Sequence, residues 1–304
     1  MTSTSNIDGV LVLWGDRLFY PGNRITRSST PKLSAEAIRQ RAQEIRARIE
    51  ATVVRRAPQV MVKVTGGGRG MRAIAAHFRY ISKNGRLDIE DERGERRNGK
   101  DALTDLVDDW RYGGSFIADD ARPVHRREAF NIMLSMPRGT DPQAVLRAAR
   151  AFGIQELAEH KYVMVLHNHQ ANPHVHLSVR GESKLGRRLN PRKGDLARWR
   201  ETFAEKLRDL GIDAEASHRY VRGSRQTIEP LWLIKAREER RLRQSFPPDE
   251  ASQRGGTDKA WDEISRILRK SDDQRDQLIA SAIEARVGNL HPDHLASKSV
   301  AHGR

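Results

Sequence analysis

The run His167-Asn168-His169-Gln170-Ala171-Asn172-Pro173-His174-Val175-His176 constrains this chain more than any other stretch. Apolar segments, Lys161 to His167 and His174 to Val179, flank it and read as two short strands. Alternate residues of a strand share a face, so His174 and His176 project together while Val175 and Leu177 turn to the core. Asn172-Pro173 is a turn signal between the two strands. An antiparallel hairpin closed over 168–173 sets His167 opposite His174, with Cβ atoms about 5 Å apart. An isolated His-x-His is an ordinary surface pattern. The third histidine, at the position that hairpin pairing brings in, makes a metal site the better reading. Three imidazoles from two rigid strands hold a divalent ion on one side and leave its other positions open to a substrate. With no cysteine in the chain, thiolate sites and disulfides are excluded. Imidazoles suit several transition ions, and a phosphate supplying further oxygen ligands fits Mn²⁺ or Mg²⁺.

Around the histidines the elements alternate. Residues 1–33, rich in Ser, Thr, Pro and Asn, read as loosely ordered, and Ile38, Ala42, Ile45, Ile49 and Val53 then recur at helical spacing. The other face of that helix carries Arg39, Arg41, Arg46 and Arg48, read as a solvated or DNA-facing surface. Val60–Thr65 reads as a strand that ends at Gly66-Gly67-Gly68-Arg69-Gly70. No Gly-Lys-Ser/Thr follows those glycines, so a strand-to-helix turn is expected rather than an ATP site. A helix to about Lys83 puts Ile74, Phe78 and Ile81 on one side. Residues 86–100 read as an exposed hairpin or loop, Asp101–Tyr112 as a helix and Glu128–Met136 as a strand. Asp141-Pro142 caps a further helix, and Asp195 caps one with the stripe Leu196, Trp199, Phe203, Leu207 and Leu210. Thr257 and Ser271 read as caps in a charged, helical end segment. The expectation is an α+β fold: a mainly antiparallel sheet flanked by helices, with a helical C-terminal extension. The divisions drawn are 1–57, 58–226 and 227–304.

Charge points to the partner. Lys and Arg number 55 against 40 Asp and Glu, a net +15 with a pI near 10.5, which suits a polyanion. Arg180, Arg187, Arg188, Arg192 and Lys193 belong to a strip of eight basic and two acidic residues between 180 and 200, placed to track a phosphate backbone. Arg69 and Arg79 are further candidates for DNA contact. Aromatics are sparse at 6%, with Trp110, Tyr112 and Phe116 the candidates for base stacking. No apolar stretch approaches the ~20 residues that span a bilayer, and the N-terminus lacks a signal-peptide pattern; a soluble, cytoplasmic protein is expected.

The spacing His167-x6-His174-x-His176 in a strand-turn-strand resembles the third motif of conjugative relaxases, within the HUH (histidine-hydrophobe-histidine) endonucleases. It is most similar to the MobP class, whose motif also has an asparagine where Asn172 stands. Ala75-Ala76-His77-Phe78-Arg79-Tyr80-Ile81 resembles that class's first motif, a helix bearing the nucleophilic tyrosine. Ser135-Met136-Pro137-Arg138-Gly139-Thr140 and Arg188-Leu189-Asn190-Pro191-Arg192 are similar to further stretches, so the likeness spans about 58–223. The chain departs from the pattern at His169, where the class usually has an aspartate that orients the first metal histidine.

The resemblance implies a bacterial enzyme that nicks one DNA strand at an origin of transfer, with Tyr80 attached to the new 5′ end. It implies a divalent metal on His167, His174 and His176, with His77 and His169 as candidates for proton transfer. The partners implied are single-stranded or supercoiled DNA, relaxosome accessory proteins and a coupling protein, without membrane insertion. Two other readings stand beside it. One is a rolling-circle or transposition nickase, disfavoured because Tyr80 precedes the histidines; the other is a non-catalytic DNA-binding protein with a structural metal.

Overall fold

The computed structural model describes residues 4–20, 34–120, 126–217, 219–222 and 250–290. In chain order its helices are α1 (Thr4–Phe19), α2 (Ala35–Ile49), α3 (Met71–Ile81), α4 (Lys100–Tyr112), α5 (Pro142–Glu156), α6 (Lys193–Arg208), α7 (Glu250–Leu268) and α8 (Gln274–Leu290). The strands are β1 (Met61–Gly66), β2 (Ile89–Asp91), β3 (Arg96–Arg97), β4 (Ala129–Ser135), β5 (Tyr162–His167) and β6 (His174–Arg180). Two units result, one over Ala57–Ala216 and one built from both ends of the chain. Among the described residues no helix is long and apolar enough to cross a membrane.

The Ala57–Ala216 unit is a six-stranded antiparallel sheet in the order β1-β4-β6-β5-β2-β3, with helices on both faces. Alternation decides which side chains go where. On one face Ile132 and Leu134 of β4 and Val175, Leu177 and Val179 of β6 meet Val145, Ala148 and Phe152 of α5 and Trp199, Phe203 and Leu207 of α6. Strand β5 is apolar on both sides because helices cover both. Tyr162 and Met164 join that first core, while Val163 and Val165 pack under Ile74 and Phe78 of α3 and Leu106 and Trp110 of α4. Phe78 meets the Trp110 ring edge-on at 4.9 Å. The α+β expectation holds.

Local chemistry accounts for the helix starts. The Asp141 carboxylate accepts from the Gln143 and Ala144 N–H groups at 3.0 and 3.1 Å, with Pro142 at the first helical position. Asp195 is not the cap of α6: the helix begins at Lys193, and Asp195, three residues inside, accepts from the Arg192 N–H at 2.9 Å. Residues 86–100 are not wholly exposed either. Strand β2 is buried and joins the sheet beside β5, and Arg150 of α5 neutralises its Glu90 through two hydrogen bonds.

In the other unit the loose N-terminus expected for residues 1–33 is replaced by α1 over Thr4–Phe19; residues 21–33 lie outside the described residues. The reason is a helical apolar stripe, Leu11, Leu18 and Phe19, which shares a core with Ala42, Ile45 and Ile49 of α2, Trp261 and Ile264 of α7, and Ile279 and Ile283 of α8. Of the arginine face of α2, Arg39 is solvated as expected, while Arg41, Arg46 and Arg48 are turned to partners within this unit. Arg46 bonds Asp8 and Asp276, Arg41 bonds Asp16 and Glu44, Arg39 pairs with Glu36, and buried Arg48 lies over the Phe19 and Tyr20 rings. Thr257 sits inside α7 rather than at its start. Asp273, not Ser271, takes the Arg275 N–H at the head of α8. Most of the segment between Thr227 and Glu250 falls outside the described residues, as does everything after Leu290.

Candidate functional site

His167 ends β5 and His174 opens β6, and the two are directly paired across the hairpin. His176 lies two residues further on the same face of β6, so three rings meet with centroids 5.1, 4.7 and 5.0 Å apart. One nitrogen of each ring lies within 4.8 Å of the others. His167 and His174 are each 5% exposed.

Their hydrogen bonds orient them. His167 Nε2 lies 2.6 Å from the Ile81 carbonyl, and His174 Nδ1 lies 2.9 Å from the Asn172 carbonyl. Carbonyls only accept, so each of these nitrogens carries the proton, which leaves the lone pair on Nδ1 of His167 and on Nε2 of His174. His176 Nδ1 is buried with no partner. Burial, reinforced by the neighbouring histidines, pushes His176 down to about 3. His167 is also lowered, chiefly by burial and against the pull of the Ile81 carbonyl. Three converging imidazoles, two of them lowered by burial, and an orphaned nitrogen are a donor set that fits a divalent cation.

The helix α3 closes the site from above the sheet. Its last turn presents Tyr80, 70% exposed, with its ring 6.4 Å from His176 and 6.3 Å from His77. The His77 ring is itself 6.3 Å from His176; its Nε2 is buried and unpartnered, and burial pushes it down to about 4. After Ile81 the chain turns through two non-glycine residues in the left-handed region, Lys83 (φ 52°) and Asn84 (φ 59°), then Gly85. That turn is costly for side chains with a Cβ. The Ser82 hydroxyl, accepting from the Gly85 N–H at 3.0 Å, and the Asn84 N–H on the Arg79 carbonyl at 2.7 Å hold it.

The Ile81 carbonyl thereby reaches His167, one residue after Tyr80. It also supplies what the departure at His169 left open. The negative end of the α3 dipole, not a carboxylate, holds His167 in place. His169 stands beside the cluster, exposed, with its ring 5.1 Å from His167 and Lys83 nearby; it is not one of the three convergent donors. The sequence pattern placed the Ile81 side chain in the core but did not mark its carbonyl. The Ser-Lys-Asn-Gly run that follows it is a helix-stop signal, and it was the available clue.

The other tyrosines are placed differently. Tyr162 is buried against α5 and raised to about 12 by that burial. Tyr20 packs under Arg41 and Arg48, and Tyr112 is exposed at the end of α4. The side chain of Tyr220 lies outside the described residues.

The basic candidates divide. Arg69, Arg79, Arg192 and Lys193 are exposed. Arg187 pairs with Glu159, and Arg188 binds Glu128, Glu182 and the Arg127 carbonyl. Arg180 is not a DNA contact: it is 3% exposed and spends its guanidinium on the Trp110 and Ser115 carbonyls, where burial lowers it.

Residues 95–212 match the family described as relaxase, MobA/VirD2-like, nuclease domain. Over that span the chain is similar to a relaxase nuclease domain. The matched span runs from the β2–β3 turn to just beyond α6 and contains all three clustered histidines. In the Ala57–Ala216 unit, β1 and α3 precede that span and are tied to it by the β1–β4 register and by the Ile81–His167 bond. No curated protein matches the chain.

Proposed function

We propose that this relaxase cuts one strand of an origin of transfer by transesterification, with Tyr80 as nucleophile. The observation that carries the reading is an exposed tyrosine on a helix bonded to the histidine cluster, with its ring 6.4 Å from His176. In the proposed step a bond forms between Tyr80 Oη and the scissile phosphorus and the bond from phosphorus to the 3′ oxygen breaks. The products are a 5′-phosphotyrosine and a 3′ hydroxyl. The phosphodiester is exchanged rather than hydrolysed, so the reverse step reseals the strand without ATP.

His167, His174 and His176 would hold Mg²⁺ or Mn²⁺, which when bound supplies charge neutralisation and orientation of the phosphate. His77 has a free buried nitrogen beside Tyr80 and is the group placed to accept the phenol proton; burial, which lowers it to about 4, keeps it unprotonated near pH 7 and makes it a weak base. His169, exposed at the rim, is the weaker candidate. Tyr80 itself is held by the helix turn that Phe78 and Ile81 anchor in the core, so the attacking oxygen arrives on a rigid element. Arg69, Arg79, Arg192 and Lys193 are assigned to the phosphate backbone. The MobP class, the bacterial cytoplasm, and accessory and coupling proteins as partners belong to this same proposal.

Purified protein with Mn²⁺ or Mg²⁺ and a supercoiled plasmid carrying the DNA that flanks the gene tests it. Nicked circles with protein on the 5′ end, lost with EDTA and in His174→Ala, are expected. Nicks that carry no protein would contradict the tyrosine route.

A further inference from the structure

The strand pair that carries the histidines has a second polar end. Strand β5 begins beside Lys161 and β6 ends at Arg180, and six residues at about 3.3 Å each set Lys161 roughly 20 Å along the strand from His167. A cavity of about 680 Å³ opens there, between the β2–β3 turn, the loop 113–115 after α4 and the turn 182–186 after β6. That volume lies within the ~300–1,000 Å³ of small-molecule sites, and no step of the proposed nicking reaction uses it.

Buried polar groups line it. Lys161, 8% exposed, is neutralised by Asp109 Oδ2 at 2.6 Å. Arg180, 3% exposed, gives its guanidinium N–H groups to two backbone carbonyls. Carboxylates at Glu182, Glu128 and Asp109 act on Arg180 only at a distance, and burial outweighs them. Lys184 is exposed, and among the described residues no carboxylate pairs with it. The buried Ser183 Oγ accepts from the Leu185 and Arg187 N–H groups at 3.2 and 3.0 Å, which leaves its own hydrogen to donate. Against these donors stands Glu92, with Oε2 buried and without a hydrogen bond. Polar groups held in this way are costly to leave without partners. Gly114 (φ 146°) forms part of the wall. A Cβ there would come 3.1 Å from Arg180 Nη2, so glycine lets the loop lie on the guanidinium.

We propose that this cavity binds a single nucleotide, a nucleoside monophosphate whose base carries an amino group. Lys184 and the Ser183 hydroxyl take the phosphate, with the Arg180 charge in the same cavity. Glu92 accepts from the amino group of the base, as carboxylates do from cytosine. Tyr112 and Phe116 bracket the loop 113–115, both exposed and with rings 5.9 Å apart, and they offer the base a stacking surface. Trp110, the third aromatic candidate, is fully buried and takes no part.

Other occupants fit less well. Inorganic phosphate sets a second negative charge before Glu92, and an amino acid such as glutamate leaves most of the volume unfilled. A DNA strand meets the exposed side of α4, where Asp101, Asp105 and Asp108 repel a phosphate backbone that continues past the cavity.

The test titrates the full chain, in EDTA, with deoxycytidine monophosphate and with deoxyuridine monophosphate, which has a carbonyl in place of the amino group. Calorimetry is expected to give one site per chain with a Kd below about 1 mM for the first and about tenfold weaker binding for the second. Glu92→Ala is expected to erase that difference, and Lys184→Ala to weaken both nucleotides about tenfold. Neither side chain belongs to a core cluster, and unchanged melting curves check that both variants fold. Hydrogen exchange on the unaltered protein should show nucleotide-dependent protection in residues 109–116 and 180–187. Equal binding of the two nucleotides overturns the proposal, as does phosphate or glutamate binding as tightly as the cytidine nucleotide. Protection confined to the histidine hairpin also overturns it. A short oligocytidine strand that loses as much affinity as the mononucleotide in Glu92→Ala would place a strand in the cavity and overturn it too. No arm requires DNA cleavage, so the result is independent of the nicking reading.

Discussion

At the scale of single residues, the site is held by what each histidine does with its second nitrogen. His167 and His174 give one proton each to a backbone carbonyl, and His176 keeps a buried nitrogen unpaired. His174→Ala and His176→Ala are therefore expected to lower Mn²⁺ affinity by more than the ~10–100-fold that loss of an outer partner costs, read by calorimetry. Retention of wild-type affinity in either would remove that ring from the donor set. The same burial predicts a pH response. His176 near 3 and His77 near 4 are neutral in the folded protein, whereas in the unfolded chain each takes a proton below about 6.5. Unfolding then consumes protons in acid. The stability these two contribute is complete above pH ~6.5 and is lost progressively as pH falls toward 4. Thermal melts of the metal-free protein should show the midpoint falling over that window, and less steeply in His77→Gln; parallel curves would count against the shift.

At the scale of elements, α3 links the sheet to Tyr80, the proposed nucleophile, and its packing sets how firmly. Phe78 is fully buried against Trp110, so Phe78→Ala is expected to cost about 3–5 kcal/mol, measured by denaturant unfolding. A loss under about 1 kcal/mol would mean that α3 is not anchored there. Much of this element was legible in sequence, because Ile74, Phe78 and Ile81 recur at helical spacing and the glycine run before them breaks β1. The histidine hairpin was legible for a similar reason, since a period of two and a turn signal determine which residues pair. What could not be read was long-range. The Ile81 carbonyl is a backbone group 86 residues from His167 in sequence, and no side-chain pattern announces it. Arg180 looked like a phosphate ligand because a basic strip in sequence does not reveal which of its members turns inward. The α2 arginines misled likewise, since their partners Asp8, Asp16 and Asp276 come from both ends of the chain.

At the scale of the whole molecule, a net charge of +15 is divided between structure and binding. Arg41, Arg46, Arg150, Arg180 and Arg188 are committed to internal partners, while Lys63, Arg69, Arg79, Arg192 and Lys193 stand exposed. Affinity for a single strand should fall steeply with salt, with a slope set by the exposed group; a flat response would contradict phosphate-led binding. The sheet and one helix build the candidate site: β5 ends and β6 begins at the histidines, and α3 brings one tyrosine beside them. The covalent adduct tests this account most directly. Protein incubated with Mn²⁺ and single strands of the DNA flanking its gene, then digested and mapped by mass spectrometry, should carry nucleotide on the peptide containing Tyr80, and Tyr80→Phe should carry none. An adduct on Tyr112 or any other tyrosine, or one that survives in Tyr80→Phe, would contradict it.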